Sequence, residues 1–240
     1  GVAMGITGTD VSKEAAAMIL LDDNFATIVK AVKEGRRIYA NIKKFILYVL
    51  SCNLAEILTI VSAPLLGLAM PLLPIHILWI NLVTDGLPGI ALTAEAAEKN
   101  IMRQAPRPPE EQLFAGGMPV RILIAAISMT ILVLFAQNHA ATLEYDINSQ
   151  QSLVFTLLCF LQLLNALSVR FDAQSLFNKK LFSNFRMWLA IISTVALQIA
   201  IIGLPQLQSV FKTTALDAVL FELIAYCMLA YLTILEASKI

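Results

Sequence analysis

Long apolar runs separated by short polar stretches dominate the sequence. A helix needs about 20 predominantly apolar residues to cross a bilayer, and several runs reach this length. We place six spans at Phe45–Gly67, Ile75–Ala94, Val120–Gln137, Leu153–Val169, Trp188–Leu204 and Leu216–Leu235. The pattern therefore predicts a predominantly α-helical, multi-pass integral membrane protein in a lipid bilayer, with a transmembrane domain over residues 45–240.

The N-terminal segment follows a different pattern. Gly1–Gly8 predicts a short buried strand, Asp10–Ala17 a small helix and Met18–Leu21 a second strand. A piece of this size cannot bury a core of its own, so we expect residues 1–24 to be the end of a Rossmann-like α/β domain whose remainder is missing. Residues 25–44 are predicted to form a stalk helix leading into the membrane, with Asp23 as its N-cap.

Composition narrows the class of protein. The 240 residues are 58% hydrophobic and 14% charged, with a mean hydropathy of +0.77, whereas a soluble domain is about a quarter charged. This balance excludes a disordered chain, a nucleic-acid-binding protein and an ordinary soluble domain. The three cysteines all lie in apolar runs, which disfavours a disulfide framework or a zinc site.

The positive charges predict the orientation. The net charge is zero, but all of the 17 Lys and Arg residues except Lys212 lie on one side of the six alternating spans. This set includes four cations in the two loops on that side, Lys99, Arg107, Lys179 and Lys180. Because Lys and Arg accumulate on the cytoplasmic side of membrane proteins, we expect both termini and the loops near residues 100 and 178 to be cytoplasmic.

The most informative residues are polar groups inside the first two spans. Asn53 and Glu56 are three residues apart in the first span, and Asn81, Thr84 and Asp85 share one face of the second. A carboxylate at mid-span costs about 2.5–3.5 kcal/mol on insertion scales, so such groups face a protein interior or a hydrated path. A short connection makes the two spans an antiparallel hairpin, and both polar faces are predicted to converge near mid-depth.

These side chains are all oxygen donors, which suit Ca²⁺, Mg²⁺, Na⁺ or a proton path better than zinc or copper. The alternative is structural hydrogen bonding between helices, but two facing carboxylates, Glu56 and Asp85, favour a cation site. Helix–helix hydrogen bonding is the expected role of Gln162 and Asn165 in the fourth span. His76, at the start of the second span, is expected to be an interfacial imidazole and not a ligand.

Three segments resemble P-type ATPases. Residues 18–48 (MILLDDNFATIVKAVKEGRRIYANIKKFILY) resemble the junction between the phosphorylation domain and the fifth transmembrane helix of this family. Residues 79–91 (WINLVTDGLPGIA) are similar to the sixth helix of its calcium-pumping, reticulum-type branch, and the loop at 102–114 (MRQAPRPPEEQLF) is similar to that branch too. The resemblance covers essentially the whole chain and implies that its spans are helices five to ten of a ten-helix pump.

The resemblance also implies a mechanism. In the family, ATP with Mg²⁺ phosphorylates an aspartate in a DKTGT motif, and the cycle of phosphorylation moves the cation across the membrane. Neither DKTGT nor the later TGDGVNDAP motif occurs here. The chain is therefore expected to be the ion-binding part of a Ca²⁺ pump, with no catalytic or cofactor-binding residue of its own and no ATP hydrolysis without the missing N-terminal part. No other obligate partner is expected. The compact loops favour a bacterial cell-membrane protein.

The resemblance implies a set of calcium ligands. Asn53, Glu56, Asn81, Thr84 and Asp85 match the family's side-chain ligands. The eighth-helix glutamate of the two-site pumps aligns with Val169, which implies one Ca²⁺ per cycle, with Glu56 as a counter-transported proton carrier. A P-type pump for Na⁺, Mn²⁺ or H⁺, or less plausibly a non-enzymatic membrane subunit, remains an open alternative.

Overall fold

The computed structural model describes residues 1–98, 100–106, 108, 114, 117–171, 175–176 and 181–239. Lys99, Arg107, Lys179 and Lys180, which entered the orientation argument, lie outside the described residues, as does 109–113 of the loop that resembles the calcium pumps. Two compact units are present: Gly1–Ile42 with Ala96–Glu110, and Lys43–Glu95 with Glu111–Ile240. The described part has six helices long and apolar enough to cross a membrane, which confirms the predicted number of spans.

The N-terminal residues form a strand–helix–strand piece. Strand β1 (Val2–Met4) and strand β2 (Met18–Leu20) are parallel, and helix α1 (Asp10–Ala15) connects them. Parallel strands need such a crossover connection. Only Ala3 and Leu20 of the two strands are buried, which agrees with the expectation that a piece this small has little core of its own. The predicted strand–helix–strand order is confirmed.

Helix α2 (Phe25–Leu65) is continuous over 41 residues and covers both the predicted stalk and the first predicted span. Its N-cap is Asn24, whose Oδ1 accepts a hydrogen bond from the backbone N–H of Ala26 at 2.9 Å. The prediction that Asp23 is the cap is wrong. Asp23 has a left-handed backbone (φ 49°), and its carboxylate turns back to accept hydrogen bonds from the N–H groups of Ile6 and Thr7 at 2.9 and 2.8 Å. These bonds lower the pKa of Asp23.

The second predicted span is not a uniform α-helix. It consists of α3 (Pro74–Trp79), a π-helical turn (Ile80–Thr84) and α4 (Gly86–Thr93). The remaining spans are α5 (Met118–Thr142), α6 (Ile147–Arg170), α7 (Phe185–Gly203) and α9 (Ala218–Ala237). Helix α6 is the central helix of the six: 89% of its most apolar 18-residue segment is buried, compared with 33–44% of the corresponding segment in each of the other five spans.

Several helices extend beyond the apolar runs that predicted them. The polar stretch 138–152 is mostly helical, and only Leu143–Asp146 separates α5 from α6. Asp146 caps α6 by accepting a hydrogen bond from the N–H of Asn148, so polar residues complete the helix end. The predicted connection Pro205–Thr214 likewise contains a short helix, α8 (Pro205–Phe211). Polar capping groups satisfy the backbone N–H groups at the start of a helix. A hydropathy pattern does not detect these positions, so it underestimates the length of the helices.

The cores of the larger unit are apolar clusters around α6. One packs α5, α6 and α9 together through residues such as Met129, Phe155 and Tyr231. His76 belongs to this interior: it is fully buried, its ring stacks on Phe155 with 4.4 Å between centroids, and its Nε2 lies 2.7 Å from the carbonyl of Phe211. Its position at the membrane interface stays a prediction.

Candidate cation site

The π-helical turn shapes the second span around its polar residues. The N–H of Asp85 donates to the carbonyl of Ile80 at 2.8 Å, five residues earlier, which defines the wider turn. Pro88 has no N–H, so it cannot bond the Thr84 carbonyl four residues before it. The hydroxyl of Tyr48 lies 3.1 Å from this carbonyl and 3.0 Å from the Oδ1 of Asp85, so its single proton is shared between the two oxygens. The irregular turn lies immediately before Asp85. Such π-turns are frequent at functional sites.

Glu56 is the meeting point of three spans. Its Oε2 accepts a hydrogen bond from the side-chain amide of Asn81 at 3.1 Å, and its Oε1 accepts one from the amide of Gln162 on α6 at 2.8 Å. Glu56 is only 3% exposed. The structure thus brings the predicted polar faces of the first two spans together, and it adds a residue of the fourth span to them.

Asp85 lies in the same buried region. Its Oδ1 accepts a hydrogen bond from the Tyr48 hydroxyl at 3.0 Å, while its Oδ2 is buried with no hydrogen-bond partner among the described residues. The Oε1 of Gln162 is also buried and has no hydrogen-bond partner in the described part of the chain. Leaving a buried oxygen unpaired costs about 1–3 kcal/mol, and more when it is charged. These oxygens are therefore available to a cation.

The other two predicted ligands are held apart from the carboxylates. The amide of Asn53, on α2, donates to the carbonyl of Val49 in its own helix at 2.9 Å. The hydroxyl of Thr84 is fully buried and donates to the thiol of Cys159 at 3.4 Å. Within the described residues, neither side chain hydrogen-bonds Glu56 or Asp85. The structure therefore unites Glu56 with Asn81, whereas Asn53 binds its own helix and Thr84 binds Cys159 on α6.

The residue of α6 at this site is Gln162, not Val169. Val169 lies two helical turns further along α6 and is buried in an apolar cluster with Leu167 and Met187. The alignment that set Val169 opposite the cation site is therefore wrong. The sequence carried a signal for Gln162, because a glutamine inside an apolar run needs a partner, but spacing within one helix does not identify a partner on another.

The donor set is rich in oxygen and poor in nitrogen and sulfur. Among the described residues, no group of three or more His, Cys, Asp or Glu side chains could hold a metal ion. The oxygens that the structure brings to the site are those of the two carboxylates and the Oε1 of Gln162, whose amide nitrogen binds Glu56. Hard oxygen donors of this kind suit Ca²⁺ and related cations.

A family comparison identifies the chain. The model of the family described as cation transporting ATPase, C-terminus, matches residues 69–240, well over half of the sequence. The chain belongs to the cation-transporting ATPases. The resemblance to P-type pumps found in the sequence is thereby confirmed, and the six apolar helices of this ATPase chain correspond to the multi-pass membrane part of the family.

Curated relatives agree with the family match. A protein named calcium-transporting ATPase 1 from Bacillus cereus is 41% identical over 231 residues, covering 90% of this chain and 26% of the relative. The calcium-transporting ATPase of Bacillus subtilis is 42% identical over 221 residues (90% and 24%). The human calcium-transporting ATPase type 2C member 1 is 38% identical over 217 residues (90% and 24%). The ATPase chain therefore spans about a quarter of the length of these relatives.

Proposed function

We propose that the chain is the ion-binding membrane part of an ATP-driven P-type pump that moves Ca²⁺ out of the cytoplasm. The observation that carries this proposal is the buried junction of Glu56, Asn81 and Gln162 beside Asp85, where two oxygens have no hydrogen-bond partner among the described residues. Oxygen ligands inside apolar helices suit a hard cation. The relatives are named calcium-transporting ATPases, which supports Ca²⁺ over Na⁺, Mn²⁺ or H⁺ and a pump over a non-enzymatic subunit.

Glu56, Asn81 and Asp85 are the proposed central ligands, with Asn53 and Thr84 retained from the family pattern and Gln162 added by its contact with Glu56. Ca²⁺ takes 6–8 oxygens, so the rest of the pump, the backbone or water completes the shell. The two carboxylates of this chain neutralise one Ca²⁺. A second Ca²⁺ without further carboxylates would leave excess charge in an apolar bundle, which supports one Ca²⁺ per cycle.

Release of the cation leaves two buried carboxylates close to each other. Charges of the same sign in an apolar interior are costly, so we propose that protons replace Ca²⁺ and that Glu56 carries one of them. The amides of Asn81 and Gln162 can hold Glu56 in place in either state, because a protonated carboxyl still accepts hydrogen bonds. Proton countertransport follows from this exchange.

The proposed pump has its chemistry in the part of the relatives that this chain does not cover. Residues 1–24 are proposed to complete a Rossmann-like phosphorylation domain, residues 25–44 to form the stalk, and residues 45–240 the membrane domain. Mg²⁺ and ATP act through the other domains. The continuity of α2 from Phe25 to Leu65 supports a mechanical link between phosphorylation and the cation site. Both termini are proposed to be cytoplasmic.

The first test of the proposal is the gene itself. We expect the DNA upstream of the Gly1 codon to encode, in the same reading frame, a DKTGT motif followed by TGDGVNDAP. An open reading frame that extends several hundred codons upstream and contains neither motif would contradict the pump proposal.

A further inference from the structure

A buried glutamine outside the cation site connects three spans. Gln198 lies on α7 and is fully buried. Its Oε1 accepts a hydrogen bond from the indole N–H of Trp79 at 3.1 Å and a second from the thiol of Cys159 at 3.5 Å. Its Nε2 donates to the hydroxyl of Thr156 at 3.3 Å. Both polar atoms of this amide are therefore used.

These contacts hold both ends of the π-helical turn. Trp79 immediately precedes the turn, and Thr84 is its last residue. Thr84 donates to the Cys159 thiol at 3.4 Å, and that thiol donates to the Oε1 of Gln198. The Oε1 of Gln198 therefore binds Trp79 directly and is connected to Thr84 through Cys159. The turn lies between these two attachments and carries Asn81, with Asp85 directly after it.

The same network reaches Glu56 along α6. Thr156, Cys159 and Gln162 are spaced three residues apart, so they lie along one side of this helix. The first two bind Gln198, and the third binds Glu56. These three residues of α6 therefore fix the position of the π-helical turn relative to the Glu56 carboxylate, to which Asn81 donates.

We propose that Gln198 is a positioning residue for the cation site: it holds the π-helical turn in the geometry at which Asn81 and Asp85 face Glu56. The inference rests on the proposed function. Isolated π-turns are rare and depend on their surroundings, and a buried donor that loses its acceptor moves to find another. Loss of Gln198 therefore displaces the ligands of the second span without removing any of them.

The test uses the full-length pump and measures phosphorylation by ATP as a function of Ca²⁺ concentration. Gln198→Leu removes both hydrogen-bonding atoms, and Trp79→Phe removes only the indole N–H at one end of the turn. We expect the Ca²⁺ concentration for half-maximal phosphorylation to rise about tenfold in Gln198→Leu and less in Trp79→Phe, because a lost buried hydrogen bond weakens an equilibrium by about this factor. Phosphorylation at saturating Ca²⁺ stays close to that of the wild type.

Two controls separate positioning from general damage. Gln198→Glu, as the neutral acid, keeps an acceptor for Trp79 and Cys159 and offers an O–H to Thr156, so it is expected to restore the wild-type Ca²⁺ dependence. Gln137→Leu removes another fully buried glutamine, which lies on α5 and whose amide donates to the carbonyl of Ala69 in the connection between α2 and α3. This variant is expected to leave the Ca²⁺ dependence unchanged.

The outcomes distinguish the two proposals. A wild-type pump that is phosphorylated independently of Ca²⁺ contradicts the proposed function. A wild-type pump that depends on Ca²⁺, with no shift in either Gln198→Leu or Trp79→Phe, overturns the positioning role alone. If Gln198→Leu does not fold, the Ca²⁺ dependence of Trp79→Phe is the test, and an unshifted Ca²⁺ dependence in that variant overturns the positioning role. When both variants fold, the double variant should shift no further than Gln198→Leu, and additive shifts would also overturn the role.

Discussion

Single polar side chains in this molecule are held by partners on other helices. Glu56 has an amide on each oxygen, one from Asn81 and one from Gln162. Asp85 has one oxygen on Tyr48 and one without a partner among the described residues. This difference between two nearby carboxylates indicates that Asp85 presents the more open oxygen, whereas Glu56 organises the ligands around it.

Asp23 gives a prediction outside the membrane. Its carboxylate accepts hydrogen bonds from the N–H groups of Ile6 and Thr7, so Asp23→Ala should speed hydrogen exchange of these two amides. Asp10→Ala, which changes an exposed aspartate of the same piece, is the matched control and should leave both amides protected. Equal exchange in wild type and Asp23→Ala would contradict the assigned contacts.

The same contacts predict a pH dependence. Hydrogen bonds from Ile6 and Thr7 hold the pKa of Asp23 below its ordinary value of 3.8. A group with a lowered pKa in the folded state stabilises the fold above its unfolded pKa, and the stabilisation is lost as pH falls through the lower, folded value. Protection of the Ile6 and Thr7 amides should therefore persist at neutral pH and fall only below about pH 4. Protection that is already lost at pH 6 would show that another group is responsible.

At the residue scale, the sequence predicts the contacts of a side chain only when its partner lies nearby in the sequence. Spacing within one helix was sufficient to group Asn81 with Asp85. The short connection between the first two spans was sufficient to predict that this face meets Glu56, and the structure shows the Asn81–Glu56 contact. Spacing within one helix could not select Gln162 over Val169, because the rotation of α6 about its axis is set by packing against the other helices. The local sequence also assigned the cap of α2 to Asp23 and not to Asn24, since the correct choice depends on where the Ile6 and Thr7 amides lie.

At the scale of elements, the hydropathy pattern was sufficient to predict six spans but not the internal form of the second. Pro88 removes one backbone donor, but this alone does not determine where the helix departs from α-helical geometry. The observed π-turn lies before Pro88 because Tyr48 bonds the orphaned carbonyl of Thr84 and Trp79 is held by Gln198. Both contacts come from other helices, so the local sequence does not contain them.

The end of α6 gives a prediction at the element scale. Arg170 is buried and forms an ion pair with Glu95 at 2.9 Å, and it also donates to the carbonyl of Leu181 at 2.7 Å. Removing one partner of a buried pair costs about 3–5 kcal/mol. We expect Arg170→Met to lower the free energy of unfolding by about 3 kcal/mol, measured by denaturation of the full-length protein in detergent.

The matched control is Arg37→Met. Arg37 pairs with Glu34 at 2.8 Å, but both side chains are substantially exposed (29% and 53%), and exposed pairs contribute about 0–1 kcal/mol. A loss in Arg170→Met no greater than that in Arg37→Met would show that the buried pair does not stabilise the end of α6.

At the scale of the whole molecule, the charge distribution predicts a topology. The three native cysteines are buried, so an added surface cysteine can be labelled against a low background. In intact cells, a membrane-impermeant thiol reagent should label Lys212→Cys, whereas Ser238→Cys, at an exposed position beyond α9, should be labelled only after the membrane is permeabilised. The reverse pattern would contradict cytoplasmic termini.

The account as a whole depends on the carboxylates inside the membrane binding the transported ion. The most direct measurement is phosphorylation of the full-length protein by ATP over a range of Ca²⁺ concentrations, in the wild type, Asp85→Asn and Glu222→Gln. Glu222 is an exposed acid on α9, away from the buried cluster. We predict that phosphorylation of the wild type and Glu222→Gln requires Ca²⁺ and that Asp85→Asn abolishes this response. An unchanged Ca²⁺ dependence in Asp85→Asn would contradict the assignment of the site.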